Sequence, residues 1–456
     1  MKNTKDMTQG NTAKIIFSFF LPMLMTNLLQ QVYNFADTAI VGKGLGDNAL
    51  AAVGNMSSLT FLIIGFSMGM ANGFSVIISQ NYGAKDIKAL KKAFAASIKL
   101  AVLISAFLTA VSLLFLRKIM ILMQTSDIII EDSLRYGYII FGGLTATIAY
   151  NMSACILRAL GDSKTPFRAI IVSSVVNIIL DCVCIFGLHT GVEGAAAATI
   201  AATFFSAGIC FDKIRKIDEL RLSRDDLRTP PAMYALLLKN GLPMALMNSI
   251  TAVGCIVVQY FVNGLGVAYT SAYSACSRYL NMFMLPGVTA GYTISAFTGQ
   301  NFGAGRFDRI KEGMSVCIKI ALTAYILLGS VMIFFPRALA SVMLNGNETI
   351  SLAEKFLPIC GIMLFAVDLL FVFRNCVQGM GFPMIPMISG ILEMALRISV
   401  IVFLIGGIGF KATAFAESSA WTGALIMNMS AYFFLIRKYT KKNAGFRQTM
   451  TADNFS

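Results

Sequence analysis

The amino-acid sequence predicts an all-α polytopic membrane protein, with twelve transmembrane helices in two six-helix bundles related by a pseudo-twofold axis. Three observations predict it: a composition too apolar for a water-covered surface, twelve long apolar runs, and an internal repeat at one fixed offset of 220 residues.

Of 456 residues, 57% are hydrophobic and 13% charged, against about 25% charged in an ordinary soluble protein. Mean hydropathy is +0.72. A soluble chain of this length would build about three domains, each with a polar surface to cover. The 37 basic and 23 acidic side chains are too few for that. Soluble globular, disordered and coiled-coil classes are therefore excluded. The net charge of +14 would point to nucleic acid in a soluble protein. In a membrane protein Lys and Arg collect in cytoplasmic loops instead, so no nucleic-acid partner is expected. The nine cysteines are an odd number, and Cys155, Cys182, Cys255, Cys276 and Cys376 lie inside apolar runs. They read as small packing residues rather than a disulfide set. His189 is the only histidine, which excludes a multi-His metal site. No small-residue cleavage site follows the first apolar run, so no removable signal peptide is expected.

A spanning helix needs ~20 mostly apolar residues. Twelve runs qualify, at 15–40, 50–80, 89–116, 133–157, 166–187, 193–211, 235–263, 268–298, 313–335, 352–378, 384–406 and 412–436. The longest of them predict tilt or bending. Pro22, Pro243 and Pro286 fall inside runs and are candidate kinks. Placing the N-terminus in the cytoplasm puts 25 Lys and Arg on the inside. They are three before the first run, four at 85–92, three at 158–168, seven from Lys213 to Lys239, three at 306–311 and five after the last run. Seven lie outside, namely Lys43, Arg117, Lys118, Arg135, Arg337, Lys355 and Lys411. That bias puts both termini in the cytoplasm.

The longest polar stretch, Asp212 to Pro231, follows six runs and precedes six. It divides the chain into an N-terminal bundle at 1–212, a cytoplasmic linker at 213–234, and a C-terminal bundle at 235–456 that ends in a short cytoplasmic tail. A shift of 220 residues without gaps lays Gln80-Asn81-Tyr82-Gly83-Ala84 on Gln300-Asn301-Phe302-Gly303-Ala304. The same shift lays Gly44-Leu45-Gly46 on Gly264-Leu265-Gly266, Arg117 on Arg337, Gly161 on Gly381 and Pro166 on Pro386. Six helices per half is an even number, so the halves share one orientation, with an axis along the membrane normal and a midplane cavity. That architecture belongs to transporters far more than to channels or membrane enzymes.

Polar residues inside the runs carry the functional reading, because charge in a bilayer is costly. The first run carries Asn27, Gln30, Gln31, Asn34 and Asp37 at steps of three and four, on one helical face. The fifth carries Asn177 and Asp181, an i, i+4 pair. Nothing in the first half neutralises either carboxylate, because Lys99 sits at the cytoplasmic side of its run. Two uncompensated carboxylates should hold a proton or a cation. Oxygens from Asn177 and Thr199 would suit a hard cation such as sodium. The second half differs. The offset puts Val257 at the place of Asp37, Ile401 at that of Asp181 and Arg397 at that of Asn177. Glu393 and Arg397 read as a self-neutralising i, i+4 pair, and Asp368 and Arg374 could also pair, directly or through a neighbouring helix. The coupling-ion site is therefore expected in the first half. Gly83 and Gly303 suit left-handed helix ends. Gly161 would stop one helix and Pro166 open the next. There is no phosphate-cradling loop and no catalytic triad or metal constellation, so neither ATP drive nor enzymatic activity is expected.

Taken together, Pro22, Asp37, Val41-Gly42, Gln80-Asn81-Tyr82-Gly83-Ala84, Arg158-Ala159-Leu160-Gly161-Asp162, Pro166, Gln300-Asn301-Phe302-Gly303-Ala304, Gln378-Gly379-Met380-Gly381 and Pro383 resemble the multidrug and toxic compound extrusion (MATE) family. The likeness is greatest to bacterial members of the MepA-like branch, and it covers residues 15–437. The resemblance implies a twelve-helix antiporter of the bacterial inner membrane that expels cationic, often aromatic compounds in exchange for H+ or Na+. Antibiotic resistance is the implied physiological outcome. The family's first-half ion site corresponds to Asp37, Asn177, Asp181 and Thr199. Asn27, Asn34, Gln259 and Asp368 are the candidate substrate-cavity residues, with no acid on the seventh helix. Expected partners are small organic cations and the lipid bilayer. The chain is expected to be monomeric, with no metal and no cofactor beyond the coupling ion. A flippase for lipid-linked precursors or polysaccharides is the alternative; it would favour a cationic cavity for phosphate, so Arg278, Arg374 and Arg397 facing the cavity would support it. A major-facilitator antiporter would show a Gly-Asp-Arg type loop where Gln80–Lys92 stands, and a channel would show no substrate–ion exchange.

Overall fold

The computed structural model describes residues 5–452; Lys2 and the last residues of the tail, 453–456, lie outside them. All twelve runs are helical. In chain order the helices are α1 (Thr12–Leu45), α2 (Asp47–Gly83), α3 (Ile87–Leu122), α4 (Ile130–Gly142), α5 (Leu144–Ala159), α6 (Lys164–Cys182) and α7 (Gly191–Arg215). Then come α8 (Pro231–Leu265), α9 (Val267–Phe283), α10 (Leu285–Gly303), α11 (Phe307–Phe334), α12 (Pro336–Met343), α13 (Asn347–Gly379), α14 (Met384–Ile408) and α15 (Lys411–Ala452). A five-residue π-helical turn at Val183–Gly187 extends α6. Among the described residues, ten helices are long and apolar enough to cross a bilayer. An eleventh crossing is the pair α4–α5, bent by 47°. The eighth run is shared by α9 and α10, which break at Met284 with Pro286 in the first turn of α10.

Of the three candidate kinks, only Pro286 accompanies a break; Pro22 and Pro243 lie inside the continuous helices α1 and α8. The bend between α4 and α5 falls at Gly142–Gly143, where no proline stands. A Cβ on Gly143 would come within 2.5 Å of Ile200 Cγ2, so glycine is what lets this corner approach α7.

The 220-residue offset recurs in the helix boundaries. α3 begins at Ile87 and α11 at Phe307; α6 begins at Lys164 and α14 at Met384; α7 begins at Gly191 and α15 at Lys411. The repeat is thus a repeat of helix register. The left-handed residues repeat as well, at Gly46 and Gly266, Gly161 and Gly381, and Lys85 and Gly305. The last pair corrects an expectation. Gly83 and Gly303 are the final helical residues of α2 and α10, and the left-handed turn comes two residues later. The chain needs one more right-handed residue, Ala84 or Ala304, before it can reverse.

The chain forms two compact units. One contains Leu21–Ala245 with the residues through Asp6, and the other contains Met7–Phe20 with the chain from Leu246. The first turns of α1, residues 12–20, therefore pack in the second unit. There Met7–Thr12 binds the second copy of the repeated motif. Met7 N–H donates to Gln300 Oε1 at 2.8 Å, and Asn301 Nδ2 and Arg309 Nη2 donate to the Met7 carbonyl at 3.3 and 3.1 Å. Thr12 Oγ1 donates to Glu312 Oε2 at 2.7 Å. In the first unit, Phe74, Ile78, Leu90, Ala93, Leu157 and Leu237 form a buried core. Outward-facing Phe107, Leu114, Leu122 and Phe403 stay exposed, as expected where lipid rather than water is the neighbour.

Candidate functional site

The first unit brings together all four residues that the sequence singled out for the ion site. Asp37 comes from α1, Asn177 and Asp181 from α6, and Thr199 from α7. The i, i+4 spacing stacks Asn177 over Asp181 on one face of α6, and both are fully buried. With its amide turned to suit both neighbours, Asn177 donates to Asp181 Oδ2 at 2.6 Å and accepts from the Thr199 backbone N–H at 3.2 Å. The Asp37 and Asp181 carboxyls lie within hydrogen-bonding reach of each other. Such a bond needs a proton on one of them, because two carboxylates have no hydrogen to share. Each still has one buried oxygen, Oδ1, without a hydrogen-bond partner among the described residues. Among the described residues no Lys or Arg pairs with either. The cluster therefore joins two acids, two unused acceptor oxygens, an amide and a hydroxyl, with no built-in cation. Its chemistry is that of a site for protons or for a small monovalent cation.

Two tyrosines complete the cluster. The Tyr33 hydroxyl hydrogen-bonds the Thr199 side chain, and Tyr136 lies close enough to feel both carboxyls. Tyr33 precedes Asp37 by four residues, so helical spacing on the polar stripe could have found it. Tyr136 reaches the site from α4, and nothing in local sequence marks it. Of the other first-unit candidates, Asn27 is half-buried and Asn34 exposed on α1.

The second unit holds its charges differently. Arg374 on α13 donates to Glu393 Oε2 at 2.6 Å, and Arg397 donates to Glu393 Oε1 at 3.2 Å and to Glu417 Oε2 at 2.9 Å. Tyr273 Oη stands 3.4 Å from Glu417 Oε1. The expected Glu393–Arg397 pair is present, but as the middle of a four-residue chain across α13, α14 and α15. The candidate pairing of Asp368 with Arg374 does not form, because Arg374 turns to Glu393 on the neighbouring helix. Asp368 is fully buried, and among the described residues neither carboxyl oxygen has a hydrogen-bond partner. It lies against Gly287 of α10, where any Cβ would collide with the carboxyl. Gln259 is spent locally and donates to Asn263 Oδ1 at 2.7 Å. Arg278 is exposed on α9.

These features define an all-α membrane protein of transporter type, built from two repeats that share a register but not a charge pattern. The MatE family model matches residues 22–183 and 243–403, one segment in each repeat. The probable multidrug resistance protein YoeA of Bacillus subtilis (strain 168) is 31% identical over 353 residues, covering 75% of each chain. The probable multidrug resistance protein YpnP of the same organism is 28% identical over 379 residues, covering 82% of this chain and 84% of that one. A crystal structure of MATE in the bent conformation superposes with a TM-score of 0.90 at 20% identity, over 96% of this chain and 98% of the other. The chain belongs to the MATE family of transporters.

Proposed function

We propose that this protein is a secondary active multidrug efflux antiporter. It exports cationic amphiphilic compounds in exchange for H+ or Na+ by alternating access, from a bacterial inner membrane with both termini in the cytoplasm. The observation that carries the reading is the Asp37–Asp181 carboxyl pair, flanked by Asn177 and Thr199 and without a basic partner among the described residues. A proton or sodium ion bound there cancels charge that would otherwise attract a cationic substrate, so ion entry and substrate exit are linked. Asn27 and Asn34 are the first-unit polar groups offered to substrate; Gln259, spent on Asn263, and Asp368, buried against Gly287, are not. No further cofactor is invoked, and the transporter acts as a monomer. The names of YoeA and YpnP, each a probable multidrug resistance protein, support drug export. The flippase alternative loses support because Arg374 and Arg397 are spent on Glu393 and Glu417. The test is efflux of a fluorescent organic cation from proteoliposomes under an imposed proton gradient and, separately, an imposed sodium gradient. Efflux indifferent to both gradients would rule out the antiport reading.

A further inference from the structure

Helix register makes the two units comparable residue by residue. α14 begins 220 residues after α6, and α15 begins 220 residues after α7. On this register the position of Asn177 in the first unit is taken by Arg397 in the second. The surroundings differ in one respect. In the first unit two acids meet with no base between them. In the second, the Arg397 guanidinium lies between two acids, 3.2 Å from Glu393 Oε1 and 2.9 Å from Glu417 Oε2.

The fit around that guanidinium is close. Arg397 is 2% exposed and is the largest fully buried side chain among the described residues. Its Nη1 lies where a Cβ on Gly254 of α8 would be 3.0 Å away, so glycine at 254 leaves the room the head group needs. Charge balance is also complete. Glu393 and Glu417 carry two negative charges, and Arg374 and Arg397 two positive ones. Arg374 touches only Glu393 of the two. Removing Arg397 would leave one negative charge in excess, centred on Glu417, with a cavity the shape of a guanidinium ion beside it.

We propose that Arg397 is a tethered cation: its guanidinium fills a latent monovalent-cation site between Glu393 and Glu417, so that the second unit is permanently loaded and ion exchange is confined to the first. The inference uses the antiport reading for its meaning, but its primary measurement needs no transport. A free cation leaves its site in every cycle. A side chain on α14 cannot, so the second unit contributes no coupled ion.

The experiment compares wild type, Arg397→Ala, Arg397→Lys and the double variant Arg397→Ala, Glu417→Gln. Thermal stability in detergent is titrated with low millimolar guanidinium chloride at constant ionic strength set with potassium chloride. Arg397→Ala should be less stable than wild type and should gain stability saturably with guanidinium. Wild type and Arg397→Lys, which keep a tethered cation, should not respond. The double variant should not respond either, since it has no excess carboxylate. No response in Arg397→Ala, or the same response in all four proteins, overturns the proposal. A second measurement separates a latent exchange site from a merely structural ion pair. In proteoliposomes, a guanidinium gradient alone should drive efflux of a fluorescent cation in Arg397→Ala at least ~5-fold faster than in wild type, the lower end of ordinary coupling between sites. Protection without guanidinium-driven efflux reduces Arg397 to a structural pair and defeats the proposal. If Arg397→Ala cannot be purified, Arg397→Gln replaces it, extracted in the presence of guanidinium. Failure of both to fold with the free ion supplied also defeats it. Loss of wild-type efflux under proton and sodium gradients would count against the antiport reading instead, and would leave the thermal result standing.

Discussion

Neutralising Glu393 tests how the second unit holds its charges. Among the described residues this carboxylate is the only ion-pair partner of Arg374, at 2.6 Å, and one of two of Arg397, at 3.2 Å. All of these side chains are at most 9% exposed. In Glu393→Gln, Arg397 keeps Glu417, but Arg374 is left as a buried charge without a counter-ion. Breaking a buried pair in this way costs ~3–5 kcal/mol. At about 2–4 °C per kcal/mol for a unit of this size, the melting temperature in detergent should fall by about 10 °C. The compensating change is at Arg374 rather than at Arg397. Glu393→Gln, Arg374→Gln leaves the intact Arg397–Glu417 pair and no stranded charge, so most of the loss should be recovered. Glu393→Gln, Arg397→Gln strands both Arg374 and Glu417, and should be no better than the single change. The assay is a thermal ramp on all three purified variants and wild type. A double Glu393→Gln, Arg374→Gln variant no more stable than Glu393→Gln alone would show that unpaired charge is not what the chain guards against.

Three further outcomes are expected. Asp37→Asn should leave the melting temperature near wild type and abolish gradient-driven efflux, because it keeps the size and polarity of the side chain but removes the ionisable group; wild-type efflux in this variant would exclude Asp37 from coupling. For a proton-coupled protein, equilibrium affinity for a fluorescent cation should rise with pH, since releasing the proton from the Asp37–Asp181 pair exposes the charge that attracts the ligand. For a sodium-coupled one, added sodium should lower it; in either case Asp181→Asn should flatten the dependence, and a binding series across pH with and without sodium reads both. Gly73→Ala should destabilise the first unit by ~1–3 kcal/mol, because its Cβ would meet the Asn240 carbonyl and stand 2.5 Å from Gly241 Cα; an unchanged melting temperature would show that α2 and α8 can part without cost.

Much of this molecule was legible in one dimension, because helices in lipid must satisfy their own backbone. Length and hydropathy then fix how many segments cross, and a gapless offset of 220 residues fixes their correspondence, down to the shared starts of α6 and α14. Helical spacing alone stacked Asn177 on Asp181 and put Asn27, Gln30, Gln31, Asn34 and Asp37 on one face, since side chains three or four apart share a face. Spacing says nothing about which faces meet. That Arg374 reaches Glu393 on α14 instead of Asp368 on its own helix was decided by the packing of α13 against its neighbours. So were the approach of Tyr136 to the carboxyl pair from α4, the seat of Asp368 against Gly287, and the docking of Met7–Thr12 on Gln300 and Asn301. The physical reason is the same in each case. The sequence determines what each helix exposes on each face, through a local period of 3.6 residues. The pairing of a buried charge depends on axial shifts and rotations between helices far apart in the chain, and these exist only in the folded structure.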